Sequence, residues 1–556
     1  MSARALRPAA PSSRPPTRRD RLVLGGAVAL WLSLVVLAAT GLAEARGGRG
    51  WLDIPVIAAV AVVVGTVWLG GLRTVGIVAA YPVLRQLRWA RLPGAAPASS
   101  GVADARVALL YCTADDFDAD KLLASMRQSH GHVTTIVLDD SSDPGMRARI
   151  DAFGTATGAR VVRREHRTGF KAGNLNHFLG TRPGFDYYAV LDSDEVLEPT
   201  FVRRALDHVA AGSRDGRPVG VVQGRHRTRR GESRFADDFG PMFETHVAVT
   251  QLVRSTVGFS FFMGRGALVS AGCLEATGGF PEMVMEDLAF SLEAQRAGFD
   301  IVYAPDIVSC ESYPVDYHAF KKQHGKFTQG TTELARRYAR TVATSGLTAR
   351  QKIDVLVETV MAPVGAALGL LMFVAGLLPV GPEGAAFLPG WMGATLAACG
   401  TAPLLAELLR RVSAHGPLAA ATFSARALAL YASMLWVTIR SAGRVLLGGR
   451  AVFTVTPKVR STAGWRSTAL AEIVVAVVAL TLGMAVAGSF APATGLVGCA
   501  AAAAWFTWSA SRHREQGDEL APPAEPAAGR AGPTWGQYPG TVPADPRSDV
   551  LVADIS

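Results

Sequence analysis

The stretch YYAVLDSDEVLEP, residues 187–199, decides how the central part of this chain folds. Its first five residues are aromatic or apolar, which is typical of a buried strand. The carboxylates Asp192, Asp194 and Glu195 follow directly. Because the whole chain carries a formal net charge of +10, this acidic cluster is a local feature. A strand that stops at a group of carboxylates predicts a polar site at its carboxyl end.

Four further apolar runs have a strand-like composition and alternate with helix-compatible segments: residues 107–111, 134–138, 159–162 and 219–223. Strands separated by helices pair in parallel, so residues 105–340 are predicted to form an α/β domain with a mostly parallel sheet. No apolar run of membrane length interrupts this region. The domain is therefore expected to fold on one side of a membrane.

A membrane is expected because 49% of the 556 residues are hydrophobic and only 18% are charged, against about 25% charged in soluble domains. Two N-terminal spans are predicted within residues 22–81, and a cleaved signal peptide is the alternative for the first. Four more are predicted within residues 341–511, at 359–380, 385–406, 473–490 and 491–510. Between them, residues 427–439 are too short to cross and predict an interfacial helix.

Arginines flank these apolar segments. Because basic residues concentrate on the cytoplasmic side of membrane spans, the domain and both termini are predicted to lie on the cytoplasmic side of a bacterial-type plasma membrane. The same placement favours membrane lipids as partners and argues against nucleic acid. The basic residues 1–21 and the Pro- and Ala-rich residues 512–556 are predicted to be disordered. The five cysteines form no C-x-x-C pair, so the sequence indicates neither a disulfide framework nor a zinc site.

Two other predicted strands also end in carboxylates, at Asp115 and at Asp139 with Asp140. Strand ends that share one crevice would bring these groups together, and their repulsion would favour bound cations. Asp192 and Asp194 have the i, i+2 spacing that suits a hard divalent ion completed by water and phosphate oxygens. The alternative is an Asp-rich turn that only stops a strand.

Two more segments carry groups suited to the same chemistry. Lys171, between Gly169 and Gly173, would bind a phosphate or an acidic strand end, or is simply a solvated surface lysine. Glu286 and Asp287 open an apolar helix-like segment. Asp287 either caps that helix or acts as a general base facing an acceptor hydroxyl.

Taken in order, these segments resemble the family 2 glycosyltransferases, in particular the membrane-embedded cellulose synthase-like and hyaluronan synthase-like branch. LDDSSD (138–143) resembles the family's uridine-binding stretch, GFKAGNLN (169–176) its K-A-G-N-L-N segment, and MED (285–287) its T-E-D motif. QHGKF (323–327) lies where the family has Q-x-x-R-W, with Lys and Phe replacing Arg and Trp. FTVTPK (453–458) resembles the gating loop of cellulose synthases, here within residues 450–462.

The resemblance implies a GT-A-type catalytic domain and a role for each matching residue. Asp287 with Glu286 would be catalytic, and Asp192 with Asp194 would bind Mg²⁺ or Mn²⁺. The nucleotide-sugar would be bound by Asp115, Asp139, Asp140, Lys171 and Asp192. The donor sugar and acceptor would be positioned by Gln323, Lys326 and Phe327, and the gating loop would use Phe453, Val455, Thr456 and Lys458.

The implied reaction is an inverting transfer from a UDP-sugar to a growing polysaccharide, with β-linked product that is also translocated. One alternative is transfer of a single sugar to a lipid acceptor such as a polyprenyl phosphate. A second alternative, from a different class, is a nucleotide-binding membrane transporter or scaffold. The spans carry almost no ionisable residues, which argues against a transport path through them.

Overall fold

A computed structural model describes residues 17–46, 53–89, 102, 104–212, 216–377, 389–454, 456–458 and 468–515. Two long helices, α1 (Arg18–Arg46) and α2 (Asp53–Trp89), precede the central domain. Most of both predicted disordered termini lies outside the described residues, as does Val455 of the predicted gating loop.

Within the described chain, eight strands form one sheet in the order β3-β2-β1-β4-β7-β6-β8-β5. Their bounds are β1 Val107–Thr113, β2 Val133–Asp139, β3 Arg160–Val162, β4 Tyr187–Asp192, β5 Val196–Leu197, β6 Val219–Thr228, β7 Ala267–Ser270 and β8 Asp300–Glu311. The first four strands in this order pair in parallel, as do β6 and β8, whereas β7 runs antiparallel to β4 and β6. All five predicted strands are present, and β5, β7 and β8 are additional.

Helices cover both faces of the sheet, which explains why its central strands are apolar without alternation. In β1, Val107, Leu109 and Tyr111 belong to one core and Ala108 and Leu110 to the other. The helices of the domain are α3 Ala119–Met126, α4 Pro144–Thr157, α5 Phe170–Gly180, α6 Phe201–Ala211, α7 Arg234–Val257, α8 Ala271–Thr277, α9 Glu286–Arg296 and α10 Tyr317–Thr344.

The remaining helices are α11 Ala349–Leu377, α12 Gly390–Thr401, α13 Leu405–His415, α14 Pro417–Ala432, α15 Leu435–Leu446, α16 Leu470–Leu482 and α17 Thr494–Glu515. Among the described residues, six helical segments are long and apolar enough to cross a membrane: Arg18–Glu44, Ile54–Leu87, Ala349–Leu377, Gly390–His415, Pro417–Leu446 and Leu470–Ala487. This confirms the predicted α/β domain with a mostly parallel sheet between membrane-length helices.

The assignment of two C-terminal segments differs from the prediction. The sequence predicted a short interfacial helix at residues 427–439, but the apolar residues before Arg426 extend it into the membrane-length segment Pro417–Leu446. A turn at Ser433 and Met434 divides that segment into α14 and α15. The predicted last span, residues 491–510, is not among the six described segments because small and weakly apolar residues dominate α17.

A buried ion-pair network fixes the domain to these helices. Asp354, on α11, accepts hydrogen bonds from Arg254 Nε at 2.8 Å and from the backbone N–H of Phe259 at 2.9 Å, and also pairs with Arg73 of α2. Arg254 belongs to α7, so one carboxylate joins the N-terminal helix pair, the domain and α11.

Candidate active site

The register of the sheet brings the acidic strand ends together. Thr113 of β1 lies beside Asp139 of β2, and Cys112 lies beside Asp192 of β4, so the three parallel strands stop at one level. A cavity of about 420 Å³ opens at this edge. Five carboxylates from the strand ends line it: Asp115, Asp116, Asp140, Asp192 and Asp194.

Two lysines contact the D-x-D carboxylates. Lys171 Nζ pairs with Asp192 and donates to the carbonyl of Gly264 at 2.7 Å. Lys458 Nζ lies 3.0 Å from Asp194 Oδ1 and 3.1 Å from Asp116 Oδ2. Burial raises the pKa of Asp192, but the charges of Lys171, Arg265 and Lys458 together outweigh it, and the net pKa is below its usual range. Lys171 is therefore not a solvated surface lysine.

The donor set of Asp192 and Asp194 fits a magnesium or manganese ion. Both residues offer carboxylate oxygens, the hard ligands that these ions prefer. No described group of three His, Cys, Asp or Glu side chains forms a complete metal cage. Mg²⁺ is usually held by one or two carboxylates together with substrate phosphates, so the two aspartates would be a sufficient protein contribution.

Of the three aspartates predicted at the nucleotide end of the site, Asp115 and Asp140 line the cavity and Asp139 does not. Asp115 has a left-handed backbone with φ of 63° and accepts hydrogen bonds from the N–H groups of Ser142 and Asp143 at 2.6 and 2.8 Å. Asp140 pairs with Arg164 at 2.7 Å, and both line the cavity. The side chain of Asp139 is fully buried against an arginine and does not line the cavity, so the structure places Asp140 there instead.

Glu286 and Asp287 lie in the first turn of α9 and line the cavity. Asp287 Oδ1 accepts a hydrogen bond from its neighbour Leu288 N at 2.8 Å, whereas the N-cap residue Met285 forms no side-chain cap. Burial raises the pKa of Asp287. The pKa of Glu286 is raised to about 8, mainly by burial and also by the negative charge of Asp287. A carboxylate whose pKa is raised by burial is suited to accept a proton.

The part of the cavity formed by α10 and the loop after α15 combines a lysine with aromatic rings. Gln323, Lys326 and Phe327, all on α10, line it. Lys326 Nζ lies 5.4 Å from the ring centroid of Phe327 and 4.7 Å from that of Phe453, which stacks on Phe170 at 5.6 Å. Phe453, Thr456 and Lys458 of the predicted gating loop also line the cavity, and Val455 lies outside the described residues.

Sequence reasoning missed several lining residues, among them Arg164, Arg167, Phe170, Arg265 and Glu311. Arg265 offered the clearest signal, because it stands between two glycines in MGRG, residues 263–266. Its partner Glu311 ends β8, a strand that the sequence did not predict.

Two plant enzymes resemble part of the chain. Glucomannan 4-beta-mannosyltransferase 1 of Oryza sativa subsp. japonica is 28% identical over 213 residues, which are 36% of this chain and 40% of the rice protein. Glucomannan 4-beta-mannosyltransferase 2 of Arabidopsis thaliana is 25% identical over 213 residues, 36% of this chain and 39% of that protein. The chain thus matches about two fifths of the length of these curated relatives.

Among solved structures, a mannosyltransferase of Pyrobaculum calidifontis in complex with GDP-Man and Mn²⁺ superposes with a TM-score of 0.41 and 18% identity. It covers 68% of this chain and 99% of its own. Residues 188–507, more than half of the chain, match the family model for glycosyl transferase family group 2. The chain therefore belongs to glycosyl transferase family group 2.

Proposed function

We propose that this protein transfers a hexose from a nucleoside diphosphate sugar to a carbohydrate acceptor with inversion at C1. The observation that carries the proposal is a single cavity that holds the D-x-D carboxylates, Lys171 and Asp287 in a chain of this family. A diphosphate leaving group needs positive charge at one end of such a site, and an acceptor hydroxyl needs a base at the other.

The residues of the chain divide this work. Lys171, which pairs with Asp192, binds the diphosphate as negative charge develops on it. Asp192 and Asp194 would hold Mg²⁺ or Mn²⁺, which would supply further positive charge for the departing diphosphate. Asp287 accepts the proton of the acceptor hydroxyl while the hydroxyl oxygen attacks C1 of the donor sugar. Because the attack inverts C1, an α-linked donor gives a β-linked product.

The acceptor we favour is a growing polysaccharide that the membrane helices translocate. Sugar C–H faces pack on aromatic rings, and Phe327 of α10 and Phe453 of the loop that follows α15 both line the cavity. Two relatives are named as glucomannan 4-beta-mannosyltransferases, which supports a polysaccharide acceptor. The cytoplasmic face of a bacterial-type plasma membrane is the proposed location, with UDP-sugar as the first donor to test.

The test is a donor screen with the purified full chain in lipid. UDP-glucose, UDP-N-acetylglucosamine and GDP-mannose are supplied with Mg²⁺, with Mn²⁺ or with EDTA, and products are sized and their linkages analysed. We expect metal-dependent release of nucleoside diphosphate and a β-linked polymer. A lipid product that carries a single sugar would show that the acceptor is a lipid and not a polysaccharide. Binding of every donor without transfer of its sugar would overturn the transferase proposal.

A further inference from the structure

Arg265 occupies a turn that only glycine neighbours permit. It precedes β7, and the flanking Gly264 and Gly266 have φ values of 82° and 56°. A methyl carbon added at Gly266 would lie 2.5 Å from Ser309 Oγ and 2.6 Å from Glu195 Oε1. The backbone at this turn is therefore fixed against the protein interior, and the side chain of Arg265 lines the cavity.

The guanidinium is held from behind by a buried acid. Nε and Nη2 of Arg265 both pair with Glu311, whose other oxygen lies 3.2 Å from His226 Nδ1. Arg265 Nη1 donates to the carbonyl of Met263 at 3.3 Å. A guanidinium has five N–H donors, so in the described part of the chain these contacts leave one N–H on each terminal nitrogen for a ligand.

The position of Arg265 relates it to both ends of the reaction. Its Nε lies 4.0 Å from Asp192 Oδ2, at the diphosphate end. A methyl carbon added at the preceding Gly264 would lie 3.6 Å from Asp287 Oδ2, at the base end. The donor sugar must lie between the leaving group and the base, because C1 is bonded to the first and attacked by the oxygen that the second deprotonates.

We infer that Arg265 contacts the donor sugar and helps to determine which hexose the enzyme accepts. This inference rests on the proposed function and adds a substrate-binding role that the motifs do not include. The charge of Arg265 is already matched by Glu311, with Asp192 close by. Between the leaving group and the base, its free N–H groups can donate to the neutral hydroxyls of the hexose.

The test separates the sugar from the diphosphate. Equilibrium binding of the best donor and of its nucleoside diphosphate alone is measured, with the same metal, for the wild type and for R265Q and R265K. We expect R265Q to weaken donor binding about 10- to 100-fold, as for a lost hydrogen bond to a charged group, with a much smaller change for the diphosphate. R296Q, which removes an arginine paired with Glu293 on α9, is the matched control and should change neither.

R265K keeps a cation beside Glu311 and covers the case in which R265Q fails to fold. It should bind the diphosphate like the wild type, raise KM for the donor more than it lowers kcat, and discriminate less between hexose epimers. An unchanged ratio of donor to diphosphate affinity in both variants overturns the inference while the proposed function stands. Absence of nucleotide binding and transfer in the wild type defeats the proposed function itself.

Discussion

Asp287 sits where a helix N-terminus meets a buried acidic cavity, so two opposing influences act on one carboxyl group. Burial favours its neutral form, whereas the helix dipole and neighbouring cations favour its charged form. We predict that D287N leaves the fold intact and lowers kcat by about 10²- to 10⁴-fold, the usual range for a lost general base. Initial rates and thermal unfolding test this, with E293Q on the same helix as the control that retains activity.

The pH dependence follows from the direction of the same shift. Because the pKa of Asp287 is raised, the group takes up its proton at a higher pH than an exposed aspartate, whose pKa is about 4. Only the deprotonated form can act as base, so kcat/KM should fall as pH decreases through this raised value. A pH–rate profile in which activity persists below pH 4 would contradict the assignment.

Motifs that fix both identity and spacing predicted that Lys171, Asp192 and Asp287 share one site, and all three line the cavity, while their roles stay predictions. The sequence did not decide between Asp139 and Asp140, because successive residues at a strand end point to opposite faces and only the register shows which faces the cavity. Arg265 was missed for a different reason. Its role depends on a glycine turn and on Glu311, a partner distant in sequence.

At the scale of elements, the turn before β7 carries a strict packing requirement. We predict that G266A destabilises the protein by about 1–3 kcal/mol, because alanine would adopt a left-handed φ and its methyl group would overlap Ser309 and Glu195. Chemical or thermal unfolding measures the loss. G272A, where an added methyl group meets nothing within 4 Å, is the matched control and should be close to neutral.

A second prediction for an element concerns Phe453, in the loop that follows α15. Phe453 connects Lys326 and Phe170 through a cation–π contact and a ring stack. A desolvated cation–π contact contributes up to about 2 kcal/mol, so F453L should reduce kcat/KM roughly 5- to 30-fold without preventing folding. Steady-state kinetics test this, and V452A, at an exposed neighbouring position, should behave like the wild type.

Element prediction succeeded for strands with long apolar runs and failed for three others. β5 and β7 have only two and four residues, too few for a periodic pattern. β8 is long, but Pro305 and Asp306 interrupt its apolar residues, and it forms because it pairs with β6 over nearly its whole length. Tertiary pairing, which a local pattern does not encode, decided these strands.

For the whole molecule, the network around Asp354 governs how the domain is attached to its helices. D354N would leave Arg254, whose side chain is 3% exposed, without its closest carboxylate. Breaking a buried pair by removing one partner typically costs about 3–5 kcal/mol. We predict a clear drop in the unfolding temperature of the full chain in detergent, and a smaller drop for E358Q, because Glu358 is more exposed. Equal stability of D354N and wild type would show that the network does not hold the domain.

The contact of Lys458 with Asp116 and Asp194 has a practical consequence for protein engineering. The loop that follows α15 supplies an ammonium group that matches carboxylates at the ends of β1 and β4. Residues 105–340 are therefore not a cassette that can be exchanged alone between relatives. A chimera should inherit residues 450–458 from the same parent as its catalytic segment, or compensating substitutions should restore the pairing of opposite charges.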